Sequence, residues 1–149
     1  MRPQSIIRFE QAYLASVLIW LAHVVLGWSA QVAAIERLPA VSGNPQMVQA
    51  GQSALIAANG AGLVLWLLLW FLVARRASAA AKWILVGFLG LSALSLLAIV
   101  PSIAQVSGLS LTLTVLAFGL NAYAVRMLFM PDATAWLNGA AAGGVEQVD

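Results

Sequence analysis

Four long runs of apolar residues divide the sequence, and charged or turn-forming residues separate them. The runs cover residues 12–30, 53–74, 83–103 and 109–130. An α-helix rises about 1.5 Å per residue and the hydrocarbon core of a bilayer is roughly 30 Å thick, so a run of about 20 residues crosses it. The second run ends at Ala74, directly before Arg75 and Arg76. This pattern predicts four transmembrane helices.

The segments between the runs predict how the helices are connected. The turn residues that end at Asn44 precede Pro45, a residue that favours the first position of a helix, so the second membrane helix is predicted to begin near Pro45. The segment Ala30–Leu38 is able to form a short interfacial helix. Residues 104–108 leave room only for a tight turn, which makes the third and fourth spans antiparallel.

The C-terminal residues predict a short surface helix followed by a tail. The helix begins at Pro131 and carries Trp136 towards the lipid. Residues 138–149 are small and glycine-rich, so they are predicted to be a disordered cytoplasmic tail, and residues 1–137 to be a single four-span domain. A cleavable signal peptide ending near Ala34 is the alternative interpretation of the first run, although that run is long for such a signal.

The distribution of basic residues predicts the orientation of the spans. Six of the seven Lys and Arg residues fall on one side of this topology: Arg2, Arg8, Arg75, Arg76, Lys82 and Arg126. Cytoplasmic segments are enriched in Lys and Arg. We therefore predict an all-α, antiparallel four-helix membrane bundle with both termini in the cytoplasm.

Small residues are expected where membrane helices meet, because lipid tails are as apolar as leucine and close packing drives association. The second span offers Ala58 and Gly62 for this purpose, the third span offers Gly87 and Gly90, and the fourth offers Ala117. We expect these residues to face the interior of the bundle.

The composition excludes several classes of function. Hydrophobic residues make up 62% of the chain and charged residues 8%, whereas about a quarter of the residues in a soluble domain are charged. The net charge of +2 is dispersed and predicts no nucleic-acid surface. The absence of cysteine excludes disulfides and thiolate chemistry. Phosphate-binding, zinc-protease and serine-hydrolase motifs are also absent, so we predict that the protein is not an enzyme.

The single histidine, His23, lies inside the first run, and Asn59 lies at a similar depth in the second. An ionisable group within a membrane often marks a proton pathway or a haem site. Haem usually needs a second axial ligand, and Met127 and Met130 lie at the opposite side of the membrane. We predict no cofactor and no metal site, and a structural hydrogen bond from His23 to Asn59 or to a backbone carbonyl.

Two further sets of charges are interpreted as structural. Glu10 and Arg126 lie near the inner face on the first and last spans, and they are predicted to form an ion pair. A coupling carboxylate like that of small multidrug exporters is the alternative, but Glu10 precedes the apolar core. Arg75, Arg76 and Lys82 form a basic cytoplasmic loop that topology alone explains, without specific binding of anionic lipid.

Three segments carry a resemblance to known proteins. They are RFExxYL at residues 8–14, ARRxSxxxKW at residues 74–83 and FxPDAxAW at residues 129–136. The segments resemble those of a group of small, uncharacterised four-helix proteins of bacterial inner membranes. The resemblance implies a fold and a location in the inner membrane, and it implies no activity.

The function predicted from the sequence is that of a non-enzymatic accessory or scaffolding subunit of a membrane assembly. Its expected partners are membrane lipids, a second copy of the chain or a larger membrane complex. A small oligomeric transporter or channel is the alternative. Transport needs a polar path through the membrane, for which the sequence offers only Ser92, Asn121 and the pair of His23 and Asn59.

Overall fold

The computed structural model describes residues 2–41, 43–101 and 106–142 of the chain. In this part the fold is all-α, as predicted, with the helices α1 (Gln4–Leu26), α2 (Trp28–Glu36), α3 (Pro45–Ala74), α4 (Ala79–Ile99), α5 (Gly108–Met127) and α6 (Pro131–Ala142). By length and composition, α1, α3, α4 and α5 are able to cross a membrane. The chain therefore has the architecture expected of a protein with four membrane spans.

The four long helices form a ring in the order α1, α3, α4 and α5. Both α1 and α4 contact α3 and α5. Because successive long helices run in opposite directions, each one is antiparallel to both of its neighbours, which confirms the predicted antiparallel bundle. The contact between α1 and α5 is the most extensive, so the first and last spans close the ring.

Capping residues determine where the helices after the first loop begin. The Asn44 side chain accepts hydrogen bonds from the backbone N–H groups of Gln46 and Met47, and Pro45 occupies the first helical position. These contacts confirm the predicted start of α3. Ser78 and Ser107 cap α4 and α5 in the same way. Such caps satisfy N–H groups that have no partner within the helix.

The first and last helices extend beyond the segments predicted from the sequence. α1 begins at Gln4 rather than near residue 12, because Ile6 and Phe9 are buried and continue its interior face. α6 continues past Trp136 to Ala142, so it includes residues 138–142 at the start of the predicted tail. The buried Leu137 anchors this part of α6 to the core. Residues 143–149 of the predicted tail lie outside the described residues.

The buried core lies at the end of the bundle that holds the N-terminus. Its side chains come from the first half of α1, the last turns of α3, the first turns of α4 and the region from the end of α5 to α6; they include Ile6, Phe9, Tyr13, Leu69, Val73, Leu85, Leu128 and Ala133. In the other half of the bundle, the described side chains are half-buried or exposed. The helices therefore pack tightly at one end and leave space between them at the other.

Small residues mark only some of the helix contacts. Gly62 faces Trp20, and a Cβ atom at Gly62 would lie 4.0 Å from that indole. Gly87 and Gly90 are exposed, and a Cβ atom at either would meet nothing within 4 Å, so the prediction that they face the interior is wrong. The buried Leu85 explains the difference, because 3.6 residues per turn place both glycines on the opposite side of α4.

Candidate functional site

A central cavity lies between the four long helices, in the half of the bundle away from the buried core. Its volume is about 370 Å³. The residues that line it are Ser16, Val17, Trp20 and His23 of α1, Trp66 of α3, Phe88, Leu91, Ser92, Ser95 and Leu96 of α4, and Leu113, Thr114, Ala117, Phe118 and Asn121 of α5. On α1 the lining extends from Ser16 to His23, which corresponds to roughly 10 Å along the helix axis.

Aromatic side chains form the floor of the central cavity. The fully buried Tyr13 donates a hydrogen bond from its hydroxyl to the backbone carbonyl of Trp66, with an O–O distance of 3.1 Å. The ring centroids of Tyr13 and Phe9 are 5.3 Å apart, and those of Trp66 and Phe88 are also 5.3 Å apart. This tilted aromatic packing closes the cavity towards the core.

Four hydroxyl groups line the central cavity, and each donates its proton to a backbone carbonyl of its own helix. The donors are Ser16, Ser92, Ser95 and Thr114, with donor–acceptor distances of 2.7, 2.8, 3.0 and 2.8 Å. A hydroxyl has one proton and two lone pairs. These groups are therefore stable within a membrane and still present oxygen acceptors to the cavity.

His23 and Asn121 bring stronger polar groups to opposite ends of the central cavity. Neither side chain forms a hydrogen bond with another residue in the described part of the chain. The predicted bond between His23 and Asn59 is not formed, and the Asn59 amide donates instead to the Leu55 carbonyl of its own helix at 2.9 Å. The amide of Asn121 and the imidazole of His23 are thus available to water or to a ligand in the cavity.

The central cavity is not sealed from the surrounding bilayer. Leu91, which lines it, is 59% exposed, and its neighbour Ser95 on the same face of α4 is also exposed. Among the described residues, α3 contributes only Trp66 to the lining. A molecule dissolved in lipid can therefore approach the cavity from the side.

The described lining contains no permanently charged side chain. None of its residues is Lys, Arg, Asp or Glu, although these residues occur elsewhere in the chain. Among the described residues, no group of three His, Cys, Asp or Glu side chains is arranged to hold a metal ion. The arrangement offers hydrogen bonds and aromatic surface.

Most of the charged residues in the described part of the chain lie at the core end of the bundle, outside the central cavity, and Glu36 and Arg37 at the end of α2 are the exceptions. Glu10 pairs with Arg2 at 2.8 Å and with Arg75 at 3.4 Å. The predicted pair of Glu10 with Arg126 is therefore corrected. The reason is the rotation of α5 about its own axis rather than the depth of Arg126 in the membrane. Arg126 is exposed, and it lies on the side of α5 opposite the buried Ala124.

The three residues of the predicted basic loop each lie over an aromatic ring. The Nζ atom of Lys82 is 3.8 Å from the centroid of Phe129, and Lys82 is largely buried. The guanidinium carbons of Arg75 and Arg76 are 5.7 and 5.9 Å from aromatic rings at the end of α3. Cation–π contacts of this kind stabilise the end of the bundle. Because each cation lies over a different ring, the three cations do not form one common basic patch.

Asp132 connects α6 to the beginning of α1. The backbone N–H of Ser5 donates to the Oδ2 atom of Asp132 at 3.3 Å. Hydrogen bonds from Ser5 and from the backbone N–H groups at the start of α6 hold the pKa of Asp132 below its usual range, and the Ser5 contact that the geometry shows is its backbone N–H. An anionic carboxylate is also favoured there because the N-terminus of a helix carries partial positive charge.

The sequence identified part of this site. Ser92, His23 and Asn121 were recognised as polar groups at membrane depth, and they do line the central cavity. The aromatic wall was missed. Trp20 and Trp66 lie near the middle of their helices rather than at an interface, which is the signal that distinguishes them from interfacial tryptophans.

Comparison with known proteins yields no match: no family model, no curated protein and no solved structure is similar to this chain.

Proposed function

We propose that this protein is a non-enzymatic integral membrane protein that binds a small molecule in its central cavity and serves as an accessory subunit of a membrane assembly. The cavity is the observation that carries the proposal. Its volume of about 370 Å³ lies within the range of ligand pockets, roughly 300–1,000 Å³. Like such pockets, it combines an aromatic wall with a few convergent polar groups.

The chemistry of the lining supports binding rather than catalysis. Nucleophilic catalysis needs a hydroxyl that is bonded to a general base. The serine and threonine hydroxyls of the cavity donate instead to backbone carbonyls of their own helices. His23 is the single histidine, and the described lining contains no carboxylate that would orient it.

The proposed location is the inner membrane of a bacterium, with both termini in the cytoplasm. The bias of Lys and Arg towards one side supports this orientation. Arg2 and Arg75 both pair with Glu10, so the N-terminal segment and the loop after α3 lie at the same end of the bundle. The proposed partners are the lipids around the exposed apolar side chains and either a second copy of the chain or a larger complex.

Transport is the second candidate function, and the position of the central cavity favours it. A transporter alternates access to a site near the middle of the membrane. Here the cavity begins near mid-membrane, while Tyr13, Leu85 and Leu128 fill the core below it. Transport would therefore require these helix ends to separate, whereas binding requires no such rearrangement.

Two substitutions on α5 test the proposed binding. Ala117 lines the cavity, so Ala117→Phe fills it. Gly119 is exposed and a Cβ atom there would meet nothing within 4 Å, so Gly119→Phe adds the same ring on the lipid side. The wild type and both variants are purified in mild detergent, checked for helix content by circular dichroism, and extracted with organic solvent for mass spectrometry.

We expect a small molecule to accompany the wild type and Gly119→Phe and to be lost from Ala117→Phe. Equal amounts of every extracted compound in the two folded variants would contradict the proposal. Proteins that co-purify with the wild type identify the assembly, and their absence from a mild-detergent preparation would count against the accessory role.

A further inference from the structure

The central cavity offers both hydrogen-bond acceptors and donors. Its four hydroxyl protons are directed at backbone carbonyls, so the lone pairs of Ser16, Ser92, Ser95 and Thr114 remain as acceptors. The Asn121 amide and the His23 imidazole each add an acceptor and a donor, and the indole N–H groups of the two lining tryptophans add donors. A ligand with a hydroxyl group, which donates and accepts, therefore meets more partners than a ligand that only accepts.

The charge of the lining restricts the ligand further. A charged group in a membrane interior is costly unless an opposite charge or strong hydrogen bonds compensate it. None of the described lining residues is Lys, Arg, Asp or Glu. The cavity is therefore matched to a neutral molecule, and its described lining holds no permanent charge that would compensate an organic anion or cation.

The surrounding lipid determines which features of a ligand give affinity. Moving an apolar surface from lipid tails to an apolar cavity contributes little binding free energy, because the two environments are alike. A hydroxyl in hydrocarbon has no hydrogen-bond partner, so it gains when it enters the cavity. Aromatic rings of a ligand also gain binding free energy in the cavity, because its aromatic side chains offer ring faces and edges that acyl chains lack. These side chains are Trp20, Trp66, Phe88 and Phe118.

We infer that the ligand of the central cavity is a neutral, ring-containing alcohol or phenol that enters from the lipid. Its hydroxyl donates to the acceptor oxygens of the cavity, its own oxygen accepts from the Asn121 amide, and its rings lie against the aromatic wall. This inference rests on the proposed binding function and specifies the class of molecule bound.

Four naphthalene derivatives that differ in one substituent test the inference. They are 2-naphthol, which donates and accepts; 2-methoxynaphthalene, which only accepts; naphthalene, which does neither; and 2-naphthalenesulfonate, which is an anion. Binding to the wild type in lipid nanodiscs is measured by equilibrium dialysis, with binding to empty nanodiscs subtracted. We expect 2-naphthol to bind roughly 3- to 15-fold more tightly than 2-methoxynaphthalene, the factor given by one hydrogen bond within a membrane.

A matched pair of variants assigns the preference to the cavity. One variant combines Ser16→Ala, Ser92→Ala, Ser95→Ala and Thr114→Val, which removes the four hydroxyl acceptors but keeps Asn121 and His23, and it should bind 2-naphthol with a clearly smaller preference over 2-methoxynaphthalene than the wild type does. The control is Thr112→Val. The Thr112 hydroxyl makes the same type of bond to its own helix, at 2.8 Å, but it is exposed outside the cavity, so this variant should keep the wild-type preference.

The outcomes separate the two proposals. If no derivative binds above the empty nanodisc, the binding function itself fails. If 2-methoxynaphthalene or naphthalene binds as tightly as 2-naphthol, the cavity binds small molecules and the inferred ligand class is wrong. Tighter binding of the sulfonate than of 2-naphthol would likewise overturn it. A preference for 2-naphthol that is as large in the four-residue variant as in the wild type would show that the ligand hydroxyl does not bind to these four residues.

Discussion

The hydroxyl of Tyr13 should stabilise the bundle, and the other tyrosine of the chain provides a matched control. Tyr13 is fully buried, and its hydroxyl bonds to the Trp66 carbonyl across the interface of α1 and α3. Tyr123 is 44% exposed and makes no hydrogen bond from its side chain to the described residues. Tyr13→Phe and Tyr123→Phe thus remove the same atom from two different environments.

The expected magnitude follows from the geometry of the Tyr13 bond. Interhelical hydrogen bonds in membrane proteins contribute about 0.6 kcal/mol on average and about 1.7 kcal/mol at most. The carbonyl of Trp66 lies in the middle of α3 and also accepts the regular helical bond, so the substitution leaves no unpaired backbone group. The phenylalanine ring keeps the contacts with Phe9 and Trp66. We therefore expect Tyr13→Phe to lower the free energy of unfolding by about 0.6–1.7 kcal/mol.

Unfolding of the detergent-solubilised protein by increasing fractions of sodium dodecyl sulfate, followed by circular dichroism, measures this difference. Tyr123→Phe should leave the free energy of unfolding unchanged within error. The reasoning would be refuted if Tyr123→Phe destabilised the protein as much as Tyr13→Phe does. An unchanged stability of Tyr13→Phe would refute it equally, because the floor of the cavity would then not depend on this hydrogen bond.

Three further predictions concern the periphery of the bundle. A double-mutant cycle of Glu10→Gln and Arg75→Ala should give a coupling energy of about 0.2–1 kcal/mol, the range for partly exposed ion pairs, and strict additivity would exclude the pair. Gly51→Val should detach α2 and speed proteolysis of the loop before α3, because a Cβ atom at Gly51 would lie 2.8 Å from an α2 side chain; Gly60→Val, in open space, should not. The lowered pKa of Asp132 means that its ionised carboxylate stabilises the docking of α6 above the ordinary pKa of 3.8, and this stabilisation is lost as the pH falls through the lower pKa of the folded protein. Tryptophan fluorescence should therefore change below pH 3.8 in the wild type but not in Asp132→Asn.

Depth along the membrane could be predicted from the sequence, whereas the rotation of each helix could not. The rise per residue fixes depth, which is why the number of long apolar helices, the start of α3 and the depth of Asn121 agree with the structure. Rotation is different, because lipid and protein interior are equally apolar and the hydrophobic pattern does not distinguish them. Gly87 faces outwards and Arg126 points away from Glu10 for this reason.

The central cavity could be predicted only in part for the same reason. Its polar groups stand out in an apolar run, so Ser92 and His23 are visible in the sequence. Its aromatic wall is not visible, because Trp66 and Phe88 are compatible with a core, a lipid-facing surface or a ligand pocket. The prediction of a hydrogen bond between His23 and Asn59 is wrong because two side chains at equal depth need not face each other. The Asn59 amide donates to the Leu55 carbonyl of its own helix instead.

The most direct test of the account is the accessibility of single cysteines along α4, which the absence of native cysteine makes possible. Ser92 lines the central cavity, Leu94 is 64% exposed on the lipid side, and Leu85 is 1% exposed in the core. Thiol reagents react with the thiolate, which forms only where water or polar groups reach the sulfur. In membranes treated with N-ethylmaleimide, we expect rapid labelling of Ser92→Cys and slow labelling of Leu94→Cys and Leu85→Cys. Labelling of Ser92→Cys as slow as that of Leu85→Cys would contradict the existence of an accessible polar cavity within the bundle.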